Sequence, residues 1–225
     1  MAHAFFLGVD LVETDDGIGA TLTMLEKEQE QRDAAARYRV DYAREHTAES
    51  PAAMADSLQS LVAEQPYIGR TNLIVNRRTA AGQALLEALT DRGLDPIAAV
   101  LTDGSGAVAG DPDETAVRLG TVEAVHTLAD LYRDGRVTVE DHTTEAASRL
   151  ARGMQRAAER LDEADGNQDT PAAAGNSLDD LGDAGPHVLS AALAAWCGTE
   201  RSFDPSQHLK SSPQTQQAGP DASRS

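Results

Sequence analysis

Hydrophobic and polar positions alternate between two periods along this chain, and the change of period predicts its elements. Residues 5–14 (FFLGVDLVET) are an apolar run broken by a single acid, the pattern of a buried strand with one polar position. Gly17 and Gly19 predict a turn, and residues 20–27 (ATLTMLEK) alternate as a second strand paired to the first in a hairpin. Residues 33–44 (DAAARYRVDYAR) mix alanines with an alternating Tyr38, Val40 and Tyr42, and their second half is read as a third strand. Ser50-Pro51 then supplies an N-cap and a first-turn proline, ahead of Met54, Leu58, Leu61 and Val62 at helical spacing.

Residues 72–76 (NLIVN) read as a strand covered on both faces. Thr79 caps a helix with Leu85, Leu86 and Leu89 on one stripe, and Gly93 closes it. Residues 96–102 (PIAAVLT) predict another strand, ended by Asp103-Gly104 and followed by a polar loop through Asp113. A helix is expected over 115–134, with Val117, Thr121, Val125, Leu128 and Tyr132 on one side, then a stop at Gly135 and a short strand over 136–140. A further helix covers 143–163, with Leu150, Met154, Ala158 and Leu161 inward. Residues 164–177 read as a flexible loop, residues 186–197 as a last apolar helix, and residues 201–225 as a disordered tail.

Three antiparallel strands followed by alternating helix and strand predict an α/β protein with a mixed sheet flanked by helices, the order of the ribonuclease H-like fold. One such domain over 1–200 accounts for the length.

Charge changes this picture in one respect. Lysine and arginine total 19 against 37 acids, a formal net charge of −18, and 17 of the 19 cations are arginine, leaving Lys27 and Lys210. Strong acidity with almost no lysine suits a halophilic protein, whose surface carboxylates concentrated salt screens. It also opposes broad, nonspecific nucleic-acid binding, which needs surface cations. The lone Cys197 excludes an intrachain disulfide and points to a reducing, cytoplasmic setting. The start (MAHAFFLGVDL) lacks the basic segment of a signal peptide, and no run of eighteen apolar residues predicts a membrane span.

Four places are candidates for chemistry. Asp10, inside an apolar strand, is costly to bury unless it binds a metal or another cation. Strand-borne carboxylates of this kind hold the paired magnesium ions, about 4 Å apart, that hydrolyse phosphodiesters. The plainer reading places Asp10 at a strand end, solvated or bonded to a turn. Asn76 ends a buried strand before a helix, at the carboxyl-end crevice where α/β sheets bind ligands, where its amide can ligate a cation or simply cap the turn. Asp179, Asp180 and Asp183 precede the last helix, where acids suit the helix dipole without any further role; His187 follows as a candidate supporting group or, as a lone histidine, a surface or packing residue. Arg149, Arg152, Arg156 and Arg160, at spacings of 3, 4 and 4, share one helix face. They can meet phosphates of a nucleic acid, or pair along the helix with Glu145, Glu159 and Glu163, and the pairing is favoured.

FFLGVDLVET with the following strand resembles the first catalytic strand of ribonuclease H-like nucleases. LIVNRRTAAGQALLEALTDRGLDPIAAVLTDG, VEAVHTLADLYRDGRVTVE and DDLGDAGPHVLSAALAAW resemble, in order, segments of the nuclease domain of phage terminase large subunits. The resemblance implies Mg or Mn as cofactor, Asp10, Asn76 and Asp180 at the catalytic positions, and Asp10, Asp180 and Asp183 as metal ligands. The family's second acid falls on Asn76, a motif glycine on Ala80, and the acids before Trp196 stand several residues too far from it. Aligned on the tryptophan, Gly185 and Pro186 take the acidic positions instead. No phosphate-loop motif is present, which excludes a packaging motor and weighs against an actin-like ATPase. The expectation is therefore a degenerate metal-dependent nuclease with absent or very weak activity, or a non-catalytic binding or scaffold module of the same fold.

Overall fold

A computed structural model describes residues 2–14, 17–29, 34–102, 116–140, 144–166 and 182–200. The elements are β1 (Ala2–Thr14), β2 (Gly17–Gln29), β3 (Arg37–Ala48), α1 (Pro51–Ala63), β4 (Thr71–Asn76), α2 (Ala80–Asp91) and β5 (Ile97–Thr102). They continue through β6 (Ala116–Gly120), α3 (Thr121–Arg133), β7 (Val137–Val139), α4 (Glu145–Gly166) and α5 (Gly185–Glu200). One seven-stranded sheet runs in the order β6-β5-β4-β1-β2-β3-β7. The β1–β2 and β2–β3 pairs are antiparallel, and all other neighbours are parallel. This is the α/β, ribonuclease H-like layout expected from the element order.

Alternate residues of β1 divide the interior into two cores. Phe5, Leu7, Val9 and Leu11 face Met54 and Leu58 of α1 and Leu85 and Leu89 of α2. Phe6 faces the other way, into the core that Leu128 of α3, Leu150 and Met154 of α4 and Val188 and Leu193 of α5 complete. Helix α5 is buried on nearly every side, as expected for a helix apolar all round. It lies directly on β1: a Cβ placed on Gly8 would stand 1.9 Å from the Ser190 carbonyl oxygen. No side chain fits there, which explains the glycine in an otherwise bulky strand.

The structure corrects the sequence reading in three places. Residues 116–120 form the edge strand β6 rather than the start of a helix, because β5 offers them a ladder of backbone partners from Ala98↔Ala116 to Thr102↔Gly120. Gly17 and Gly19 lie within β2 rather than in the turn. Gly17 has φ +147°, and a Cβ on it would fall 2.4 Å from the Ala48 carbonyl oxygen, so the glycine admits the end of β3. Strand β3 is longer than the sequence predicts, and it carries a bulge: Met24 pairs with Tyr42 but Leu25 pairs with Val40, leaving Asp41 as the extra residue. Leu161, the loop expected over 164–177 beyond its first residues, and the tail over 201–225 lie outside the residues whose placement and side chains are described.

No helix among the described residues is long and apolar enough to cross a membrane.

Candidate functional site

Asp10 follows Phe6 and Gly8 by twos along β1, so its side chain projects on the α5 side of the sheet. In the antiparallel registers Asp10 pairs with Thr21, and Thr21 with Glu45. Asn76, at the end of β4, sits on the other flank of Asp10. A polar row of Asn76, Asp10, Thr21 and Glu45 thus crosses four strands at one level of the sheet.

The Asn76 amide is oriented at both ends. Its Nδ2 donates to Asp10 Oδ1 at 2.8 Å, and its Oδ1 accepts from the Arg78 backbone N–H at 3.1 Å. Local sequence holds this turn in place. Thr79 caps α2 by accepting from the Gly82 N–H at 3.1 Å, and a Cβ on Gly82 would lie 2.3 Å from the Asn76 carbonyl oxygen. Asn76 itself is buried, while Asp10 is half-buried.

Burial pushes the Asp10 carboxyl up from its ordinary value, against the opposing pull of the Asn76 hydrogen bond, the Leu11 backbone N–H and the Arg78 charge. With its folded value raised, the native state binds more protons than the unfolded chain just above the ordinary carboxylate range. Stability therefore falls as pH rises through that window, and ionised Asp10 is a net cost at neutral pH. Asp10→Asn is expected to melt at a higher temperature than the wild type at pH 7.5, with the gap narrowing toward pH 4. Thermal denaturation across that range measures it; a variant less stable at pH 7.5 would show that the carboxylate is stabilising.

A second cluster occupies the Glu45 end of the row. Glu45 Oε1 accepts from Arg149 Nη1 at 2.8 Å and from His187 Nε2 at 3.0 Å. Arg149 Nη2 also donates to Glu145 at 2.6 Å, and its Nε lies 3.7 Å from Asp183 Oδ2. The cluster therefore ties β3 to α4 and to the start of α5. Sequence reasoning missed Glu45. With strict alternation it would point away from Tyr38 and Val40, and only the Asp41 bulge turns Ala43 and Glu45 to the α5 side with them.

The predicted site residues are only partly brought together. Asp10 and Asn76 meet directly. Asp183 is exposed, and its Oδ2 lies 3.7 Å from Arg149 Nε. Asp179 and Asp180 lie outside the described residues. Arg149 is taken up by its own carboxylates, including the expected i,i+4 partner Glu145, while Arg152 and Arg156 are exposed and Arg160 is partly buried.

The Asp10–Asn76 pair does not fit a hard divalent cation. Magnesium and manganese take oxygen donors, yet Asn76 turns its nitrogen toward Asp10 and commits its oxygen to the Arg78 amide. In this arrangement Asn76 serves as a hydrogen-bond donor to Asp10. Among the described residues no three His, Cys, Asp or Glu side chains are grouped so as to hold a metal ion. Comparison of the chain with protein-family models, curated proteins and solved structures returned no match.

Proposed function

We propose that this chain is a degenerate relative of the ribonuclease H-like nucleases, resembling terminase nuclease domains, that serves as a non-catalytic binding or scaffold module. The observation that carries this reading is the 2.8 Å bond from Asn76 Nδ2 to Asp10 Oδ1. An N–H donor stands against the strand carboxylate where such a nuclease needs a cation. Two-metal hydrolysis needs several carboxylates to concentrate the ions and orient a water between them. A neutral amide at this position removes one charge from the centre and supplies a hydrogen atom in place of a lone pair. The net charge of −18 adds repulsion of a polyanionic substrate at ordinary ionic strength.

The Asp10 carboxylate, retained in the sheet at a cost in stability, supports a second reading. In it, Mg or Mn binds weakly between Asp10 and an acid of the 179–183 segment, and a nuclease of low activity remains.

A cleavage assay on single- and double-stranded DNA with Mg²⁺ or Mn²⁺, at low and high salt, separates the two. The expected result is no cleavage above a metal-free control. Wild-type cleavage that Asp10→Ala abolishes would establish the weak nuclease instead. A nucleic-acid partner of such a module would have to meet the exposed Arg152 and Arg156 against the net charge of −18, and binding that weakens steeply with salt would identify it.

A further inference from the structure

His187 is buried to 1% exposure in the first turn of α5. An ionised Glu45 can only accept, so the imidazole proton sits on Nε2 and the hydrogen bond at 3.0 Å runs from His187 to Glu45. His187 Nδ1 is then an unprotonated acceptor. It is buried and has no hydrogen-bond partner among the described residues. A buried nitrogen that gained a proton here would become a donor without an acceptor, which costs more than leaving it bare.

The charged groups facing this imidazole come from each element packed around it. Glu45 projects from β3, Arg149 from α4, and Asp183 from the turn that leads into α5. Glu145 reaches the cluster through Arg149. The position of the helix gives the cluster its leverage. A Cβ on Gly198 would come within 3.4 Å of Phe6, and Ser190 lies over Gly8, so α5 runs antiparallel to β1 with its amino-terminal turn toward Asp10. Carboxy-terminal to His187, Ser190 Oγ bonds both the His187 carbonyl oxygen at 3.1 Å and Thr23 Oγ1 at 2.8 Å, an anchor without a titratable group.

We propose that His187 is a pH-operated latch: protonation at Nδ1 unseats the amino-terminal turn of α5 from β3 and α4, while the rest of the helix stays anchored on Gly8 and Thr23. Release of that turn loosens the cover at the Asp10 end of the sheet, and this holds whether or not the Asp10–Asn76 pair is a relic of a metal centre.

The direction of titration agrees. Burial holds the imidazole below its ordinary value, against the opposing pull of Glu45. With the folded value lowered, the unfolded or locally opened state binds the extra proton first. The latch is closed above pH 6.5 and loses stability as pH falls from there toward the folded value.

Hydrogen exchange of the full chain at pH 5.5 and 7.5, corrected for intrinsic rates, tests the proposal. Peptides over 185–190 should exchange severalfold faster at the lower pH, while peptides over 4–11 remain unchanged. His187→Gln keeps a side-chain N–H for Glu45 but cannot titrate, so its 185–190 segment should respond equally at both values. Exchange in the wild type that ignores pH, or that rises equally in β1, overturns the latch, as does a pH response retained by His187→Gln. Should that variant fail to fold, the His187 ring resonance decides: a titration midpoint at or above 6.5 in the native protein overturns the proposal.

Discussion

Gly8→Ala is expected to unseat α5 and to lower stability by about 3 kcal/mol, the upper end of the range for overpacking a filled core. The added methyl would stand 1.9 Å from the Ser190 carbonyl oxygen and 3.1 Å from the Ala194 backbone nitrogen. Both are backbone atoms of a helix, so no rotamer change relieves the clash. The helix must move as a body, and it carries Val188, Leu189, Leu193 and Trp196 out of their packing. For a chain of this size such a loss corresponds to a fall in Tm of roughly 6–12 °C. Gly69→Ala makes a useful contrast. Its φ of +68° strains an alanine, but nothing lies within 4 Å of the new Cβ, so only the left-handed backbone term of about 1–2 kcal/mol is lost. Urea denaturation of the two variants measures the difference. A Gly8→Ala protein as stable as Gly69→Ala would mean that α5 does not rest on β1.

Asn76→Asp is expected to turn the polar row into a cation site. Two carboxylates then face each other where Asn76 Nδ2 and Asp10 Oδ1 are now 2.8 Å apart. Like charges at that distance cannot both ionise cheaply, so one proton is retained well above the ordinary range. Without metal the variant should be less stable than the wild type at pH 8, and the deficit should shrink on acidification. A divalent ion reverses the balance by screening both carboxylates. At an ion concentration of 100 times Kd the native state gains about 2.7 kcal/mol, which a thermal shift resolves easily. The wild type, whose amide opposes the ion, should show no such shift. Mn²⁺-dependent DNA cleavage by Asn76→Asp, absent from the wild type, would tie the row to nuclease chemistry. A variant whose Tm ignores both Mg²⁺ and Mn²⁺ would show that Asp10 and Asn76 do not descend from a metal centre.

The two outcomes test different links. The glycine substitution asks whether the helix is placed as described, and the asparagine substitution asks what the polar row beneath it is capable of. Because Gly8 and Asn76 lie on adjacent strands under the same helix, Gly8→Ala should be read at a temperature well below its own transition before any comparison of metal binding.

Much of this architecture is legible in the residues because its determinants are local. An apolar run broken by one acid, a Ser-Pro helix start, a threonine cap before a leucine stripe and glycine stops each act within a few residues. They settle the order of elements, and that order limits how strands and helices can be arranged. Asp10 stood out for the same reason, since one charge in a buried strand is visible without knowing what surrounds it. The carboxyl end of 72–76 marked Asn76 likewise, although its residue type alone left open whether the amide would offer oxygen or nitrogen. The Arg78 N–H, two residues on, takes the oxygen, and tertiary structure brings Asp10 to the nitrogen that is left. Tertiary structure also decided the strand at 116–120, since those residues follow whichever partner is at hand and β5 presents an open edge. Glu45 was hidden most completely. Its partners, Arg149 and His187, stand 104 and 142 residues away, and the Asp41 bulge that turns it toward them is a matter of strand register, which no period along the chain records.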